Sequence, residues 1–228
     1  MTYELYIDEV AYKVPEYLTI KQFKELGNWD IQIEENWCRI LSIVTGAPYD
    51  LLTGIPKDTL ELGIMLIVDI IYPDTAPINK GTFDIKNIDV GLFVDMELYI
   101  NRGIQNNIYE IIERLYDIKP TDDMLLYDYY GGIRYYLNWR LNIFNSYRKL
   151  FGLDDEFSKN DDELQEKIDP AYSWYQFLMV LADENFLNIK KVVKQPIIEA
   201  LNFLAYKKDK VEEEKKRINE IQRNSRLN

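Results

Sequence analysis

Apolar residues return at three- and four-residue spacing along most of this chain. Because Pro and Gly interrupt that period at short intervals, it folds as a set of short amphipathic helices. Trp37, Ile40, Leu41 and Val44 form one stripe before Gly46 and Pro48 stop it. Leu60, Ile64, Ile67, Val68 and Ile71 form the next, after Pro56, and this helix is apolar enough that most of its circumference is expected to be covered. Ile100, Ile104, Ile108, Ile111, Ile112 and Leu115 predict a single helix over 95–118 despite Gly103. Leu125, Leu126, Tyr129, Ile133, Tyr136, Leu137, Leu141 and Phe144 predict another, capped by Thr121, Asp122 and Asp123 and ending near Gly152. Gly131-Gly132 is its point of kinking or close packing. Asp169-Pro170 opens a helix with Trp174, Phe177, Leu178 and Leu181 on one face, a short helix follows over 186–194, and Pro196 opens the longest, to about Gln222.

The N-terminus has a different period. Tyr3, Leu5 and Ile7, then Val10, Tyr12 and Val14, alternate on either side of Asp8-Glu9, which reads as a β-hairpin. Thr19 and Gln22 then form a capping box for a helix that buries Ile20, Phe23 and Leu26 and ends at Gly27. Phe83, Ile85, Ile88 and Val90 predict a second short hairpin near 83–90. The expected fold is α+β and predominantly α-helical, with a short N-terminal β-hairpin and a long C-terminal helix. Its expected partition is a hairpin-plus-helices domain over 1–72, a linker or second hairpin over 73–94, a helical domain over 95–206 and a charged helical extension over 207–228.

The 228 residues include no histidine, which excludes Ser-His-Asp and Cys-His nucleophile systems and every metal site that needs an imidazole. The single cysteine, Cys38, has no intrachain disulfide partner and reads as a small core hydrophobe. No Gly-rich phosphate loop, dinucleotide fingerprint or EF-hand loop is present. Asp84, Asn87 and Asp89, Asp122-Asp123 and Asp154-Asp155 are explained as helix-start carboxylates. No catalytic, cofactor-binding or metal-binding residue is therefore assigned, and the enzyme alternative is a metal-dependent one using carboxylates alone, which requires several of them to converge. A net charge of −12 argues against a nucleic-acid partner, no apolar run is long enough to span a membrane, and the first fifteen residues lack the pattern of a secretory signal. The 18 tyrosines, crowded at Tyr127, Tyr129, Tyr130, Tyr135 and Tyr136, read as core and rim packing, as do Trp37 and Trp174 on their apolar stripes.

The long C-terminal helix changes character at Lys207. Before it, Ile197, Ile198, Leu201, Leu204 and Ala205 make a core face; after it the charge balance is +3, against −15 for the rest of the chain. Leu204, Val211 and Ile218 stand at heptad spacing with Ile221 beside them, so these four are the candidate partner-binding residues, facing a helical partner or a second copy of the chain.

The run Val10-Ala-Tyr-Lys-Val-Pro-Glu-Tyr-Leu-Thr-Ile-Lys-Gln-Phe23, then Ile40-Leu-Ser-Ile-Val-Thr-Gly46, Pro48-Tyr-Asp-Leu-Leu52 and Ile55-Pro56, resembles the N-terminal part of bacteriophage tail assembly chaperones and baseplate-hub assembly factors. Asp95-Met-Glu-Leu-Tyr-Ile100, Trp174-Tyr-Gln-Phe-Leu178, Phe186 and Pro196-Ile-Ile-Glu-Ala-Leu-Asn-Phe-Leu204 resemble later parts of such proteins. The resemblance covers about half of the chain and carries no active site across. It implies a non-enzymatic factor of the host cytoplasm that holds a helical tape-measure or baseplate-hub protein during tail assembly. Greater length and the tyrosine-rich 127–147 stretch depart from the smaller chaperones, and leave open the alternative of a neck, tail or cargo protein kept in the virion.

Overall fold

The computed structural model describes residues 3–7, 9–73, 76–78, 84–151 and 170–225. The fold is α+β and predominantly helical. In chain order it has β1 (Tyr3–Ile7), β2 (Val10–Val14), α1 (Ile20–Leu26), α2 (Trp37–Thr45), α3 (Tyr49–Leu52), α4 (Lys57–Ile71), α5 (Val90–Asn101), α6 (Ile108–Tyr116), α7 (Tyr127–Ser146), α8 (Pro170–Leu181), α9 (Ile189–Val192) and α10 (Ile197–Ser225). Two compact units result, Met1–Asp84 with Tyr99–Leu137 and Ile85–Leu98 with Asn138–Asn228. The partition expected from the sequence follows chain order, whereas each unit joins two separate stretches and the cuts fall inside α5 and α7.

In the first unit β1 and β2 pair antiparallel from Tyr3↔Val14 to Ile7↔Val10, with Glu9 in the turn at φ 65°. Ile7 and Val14 are buried; Tyr6 and Val10 are exposed. The capping box of α1 forms as expected, with the Gln22 N–H donating to Thr19 Oγ1 at 3.2 Å and the Thr19 N–H to Gln22 Oε1 at 3.0 Å. Gln22 Nε2 also donates to the carbonyls of Ile43 and Val44, fixing α1 against the end of α2. Helix α2 buries Ile40, Leu41 and Val44 and stops at Gly46, whose φ of 75° suits a residue without a Cβ. The carbonyls of Leu18 and Met124 accept from Leu126 and Ile20 at 2.8 and 2.9 Å, an antiparallel bridge that ties the start of α1 to the approach of α7.

Three helix expectations are corrected here. The single helix over 95–118 is two, because Gly103 at φ 98° ends the path of α5 and α6 starts afresh at Ile108. Thr121, Asp122 and Asp123 do not cap α7, which begins at Tyr127; they form the turn whose Asp122 and Met124 carbonyls serve the bridge to α1. Trp37 is only half-buried, its indole N–H held by the Ile31 carbonyl at 2.9 Å.

In the second unit Val90 and Ile197 donate to the carbonyls of Gln195 and Ile88, both at 2.9 Å, and Asp89 bridges Pro196. This pairing overturns the second hairpin near 83–90. Phe83 lies outside the described residues, Ile85–Asn87 make a 3-10 turn, and the extended residues around Asp89 pair with the approach to α10 instead of with each other. Phe93 is the centre of the core, its ring within 5.6–6.4 Å of Trp139, Phe144 and Trp174, while Trp174 itself stays half-buried. Glu97, 1% exposed, takes a bidentate pair of hydrogen bonds from Arg140, whose guanidinium also lies over the Phe144 ring at 4.5 Å. Ile197, Ala200, Leu201 and Leu204 bury the first turns of α10.

Two outcomes follow for stability. A Cβ on Gly131 would lie 1.9 Å from the Pro77 carbonyl oxygen, so Gly131→Ala costs about 2–4 kcal/mol, while Gly54→Ala, 3.7 Å from its nearest neighbour, stays within about 0.5 kcal/mol by denaturant unfolding. Arg140→Met strands the Glu97 carboxylate and costs about 3–5 kcal/mol. The double variant with Glu97→Leu regains most of that, which a double-mutant cycle measures.

Candidate partner-binding surface

Helix α4 buries Gly63, Ile64, Ile67 and Ile71, and Gly63 allows Leu41 of α2 to approach so closely that an added Cβ would stand 3.1 Å from its Cδ2. The rest of its circumference was expected to be covered and is not. Leu62 is 63%, Met65 66%, Leu66 42% and Val68 40% exposed. Leu62, Met65, Leu66 and Asp69 stand at i, i+3, i+4, i+7, so α4 has a second apolar stripe facing away from its core. Helix α5, comparably apolar, buries Val90, Leu92, Phe93, Val94 and Met96, which is the usual fate of such a helix. Beside the open stripe, Tyr3, Val14, Pro15 and Glu16 from the hairpin and Met65, Leu66, Asp69 and Ile70 from α4 enclose a groove of about 230 Å³. Its floor is apolar, and Glu16 and Asp69 make its edge acidic.

The four candidate residues on α10 separate. Leu204 belongs to the core of the second unit at 8% exposure, whereas Val211, Ile218 and Ile221 are about half exposed. Between them the helix is anchored: Lys149 Nζ stands 2.5 Å from Asp209 and 2.8 Å from Glu212, and Lys208 donates to the Lys149 carbonyl. These carboxylates push the Lys149 ammonium well above its ordinary range, and Lys149 in turn lowers Glu212. The anchoring occupies two of the few acids on the distal half of α10, so its remaining charge is strongly basic.

Elsewhere the polar groups hold structure together. Asp122 accepts the Tyr109 hydroxyl at 2.6 Å, the Thr121 hydroxyl on Asp123 lowers that carboxyl, and Asp89 Oδ1 caps the Leu92 N–H at 2.6 Å. Asp154-Asp155 lie outside the described residues. Among the described residues, no three His, Cys, Asp or Glu side chains gather to hold a metal ion, and no helix is long and apolar enough to cross a membrane. A cleft of about 400 Å³ borders Trp29, Asp30, Ile31 and Tyr72, with Arg39 stacked on Trp29 and Tyr49 at 5.5 and 4.4 Å. Cys38 is half-buried with its Sγ 3.5 Å from the Leu52 carbonyl, and burial pushes its thiol up. No known protein family, curated protein or solved structure matches the chain.

The open stripe on α4 escaped the sequence reading because a helix apolar on both sides gives no polar face to mark outside from inside. The one available signal was Asp69, in register with Leu62, Met65 and Leu66.

Tyr116 is buried, and burial raises its phenol to about 12; its hydroxyl donates to the Tyr129 carbonyl at 2.9 Å. The folded chain therefore keeps a proton that the unfolded chain gives up near pH 10, so stability is intact below about pH 10 and falls from there to about pH 12. The denaturant midpoint of Tyr116→Phe declines less over that window than that of the parent.

Proposed function

We propose that the protein is a non-enzymatic assembly factor that holds a helical partner by its apolar face. The observation that carries this reading is the open stripe of Leu62, Met65 and Leu66 beside the hairpin groove, an exposed apolar surface of the chemistry that helix-in-groove recognition uses. Burying side chains of this size contributes about 1.5–3 kcal/mol each before the cost of ordering is subtracted, enough for a specific contact with three anchors. The exposed Val211, Ile218 and Ile221 on α10 support the same class of function. The resemblance of 10–23, 40–56 and 196–204 to phage tail assembly chaperones supports a tape-measure or baseplate-hub protein as the partner and the host cytoplasm as the place of action. The second reading, a structural component kept in the virion, is favoured by the tyrosine-rich 127–147 stretch.

Co-expression with the tape-measure and hub proteins of the same phage tests the reading. Tagged parent protein recovers one of them, and Met65→Asp with Leu66→Asp, both exposed positions, lowers recovery at least about tenfold with the far-ultraviolet circular dichroism unchanged. Recovery by the double variant at the parent level removes the α4 face from the reading. Mass spectrometry of purified particles decides between the two readings, since a chaperone is present in lysate and absent from particles.

A further inference from the structure

We infer that the open face of α4 receives the distal half of α10 from a second copy of this chain. The inference rests on the reading of α4 as a docking face and not on the identity of the phage partner. Three observations meet in it. The first is charge: the distal segment 207–228 carries +3 while the rest of the chain carries −15, and the α4 groove is edged by Glu16 and Asp69. The second is apolar pattern. Val211, Ile218 and Ile221 are exposed on the charged distal half of α10, and Leu62, Met65 and Leu66 are exposed on the face of α4 opposite its buried Ile64, Ile67 and Ile71. Each set is what the other lacks.

The third is length. From Leu62 to Asp69 the α4 stripe runs about 10 Å, and from Val211 to Ile221 the α10 seam runs about 15 Å, so one helix laid along the other covers all three anchors. Lys207, Lys208 and Lys215 stand at i−4, i−3 and i+4 from Val211, against Glu214 at i+3, so the seam presents three cations and one acid to the acidic edge. The contact joins two different surfaces. It therefore closes either reciprocally, as a dimer with two groove-and-tail contacts, or continues head to tail. In both forms the tail covers the face that the proposed partner needs, so partner and tail compete for it.

Analytical ultracentrifugation of three proteins tests this: the parent, a groove variant (Met65→Asp with Leu66→Asp) and a tail variant (Val211→Asp with Ile218→Asp). The parent self-associates, more tightly at low than at high salt. Each variant alone associates at least about tenfold more weakly. An equimolar mixture of the two regains a one-to-one complex, because one intact groove and one intact tail remain. A parent that is monomeric throughout overturns the inference, as does association that survives in either variant, or a mixture that stays monomeric; a groove variant that associates as the parent does, while the tail variant does not, identifies a symmetric α10 pair instead. A monomeric parent that still recovers its phage partner overturns only this inference, whereas a self-associating parent that recovers no phage partner overturns only the proposed function.

Discussion

The short antiparallel bridge ahead of a helix is the interaction on which each unit depends. In the first unit Leu18, Ile20 and Lys21 pair with Leu126, Met124 and Asp122; in the second Ile88, Val90 and Gly91 pair with Ile197, Gln195 and Val193. The donors and acceptors match one for one, displaced by 70 residues on one side and 71 on the other. The side chains match as well. Leu18, Ile20 and Phe23 in one and Ile88, Val90 and Phe93 in the other are all essentially buried, with Thr19 or Asp89 capping the helix that follows. Three backbone hydrogen bonds contribute about 1 kcal/mol each, but their effect is larger than that sum, since they fix the starts of two helices at once and so set which faces meet. A likeness of the same spacing joins α2 and α6, both in the first unit, nine residues each and 71 apart, which bury Ile40, Leu41 and Val44 and Ile111, Ile112 and Leu115 and end in left-handed residues, Gly46 and Asp117. One supersecondary plan is used twice.

What fills that plan differs between the units. Around Phe93 the core is aromatic and contains a buried ion pair, Glu97 with Arg140, whose geometry tolerates neither partner alone. Around Phe23 the rings are tyrosines, with Tyr130 edge-on at 6.3 Å and Tyr116 against Tyr129 at 5.2 Å, and Gly131 lets the Pro77 backbone come where a side chain would stand. The tyrosine-rich stretch is thus packing material in this unit, with Tyr136 fully buried and Tyr135 turned outward.

Local chemistry was legible in the sequence and pairing at a distance was not. The capping box at Thr19 and Gln22, the stop at Gly46 and the opening of α10 at Pro196 are each decided by a few adjacent residues, and the structure has all three. Asp89 and Pro196, by contrast, meet across more than a hundred residues, so the extended stretch near Ile88 looked like half of a hairpin. The 95–118 period concealed a break because Ile100, Ile104 and Ile108 keep helical spacing straight through a glycine whose backbone turns left-handed. Of the candidate site, Val211, Ile218 and Ile221 were legible since a lone apolar residue on a charged helix stands out. Leu204 read both as the end of the core face and as the start of the heptad, and at 8% exposure it belongs to the core face.

An acidic protein with a basic, sparsely apolar helix at one end faces a constraint that an evenly charged one does not. Its body repels other copies of itself, which keeps it from aggregating through the exposed stripe on α4, while its tail is drawn to that same body. Exposed Leu62 and Met65 would otherwise favour non-specific association at high concentration. In the proposed contact, long-range charge gates a short-range apolar one: a segment that carries cations beside its apolar anchors is drawn to the acidic edge, and an equally apolar but acidic helix is repelled. Selectivity of this kind rests on surface charge beside apolar anchors and asks nothing of the buried Glu97–Arg140 pair, which serves the core of the second unit.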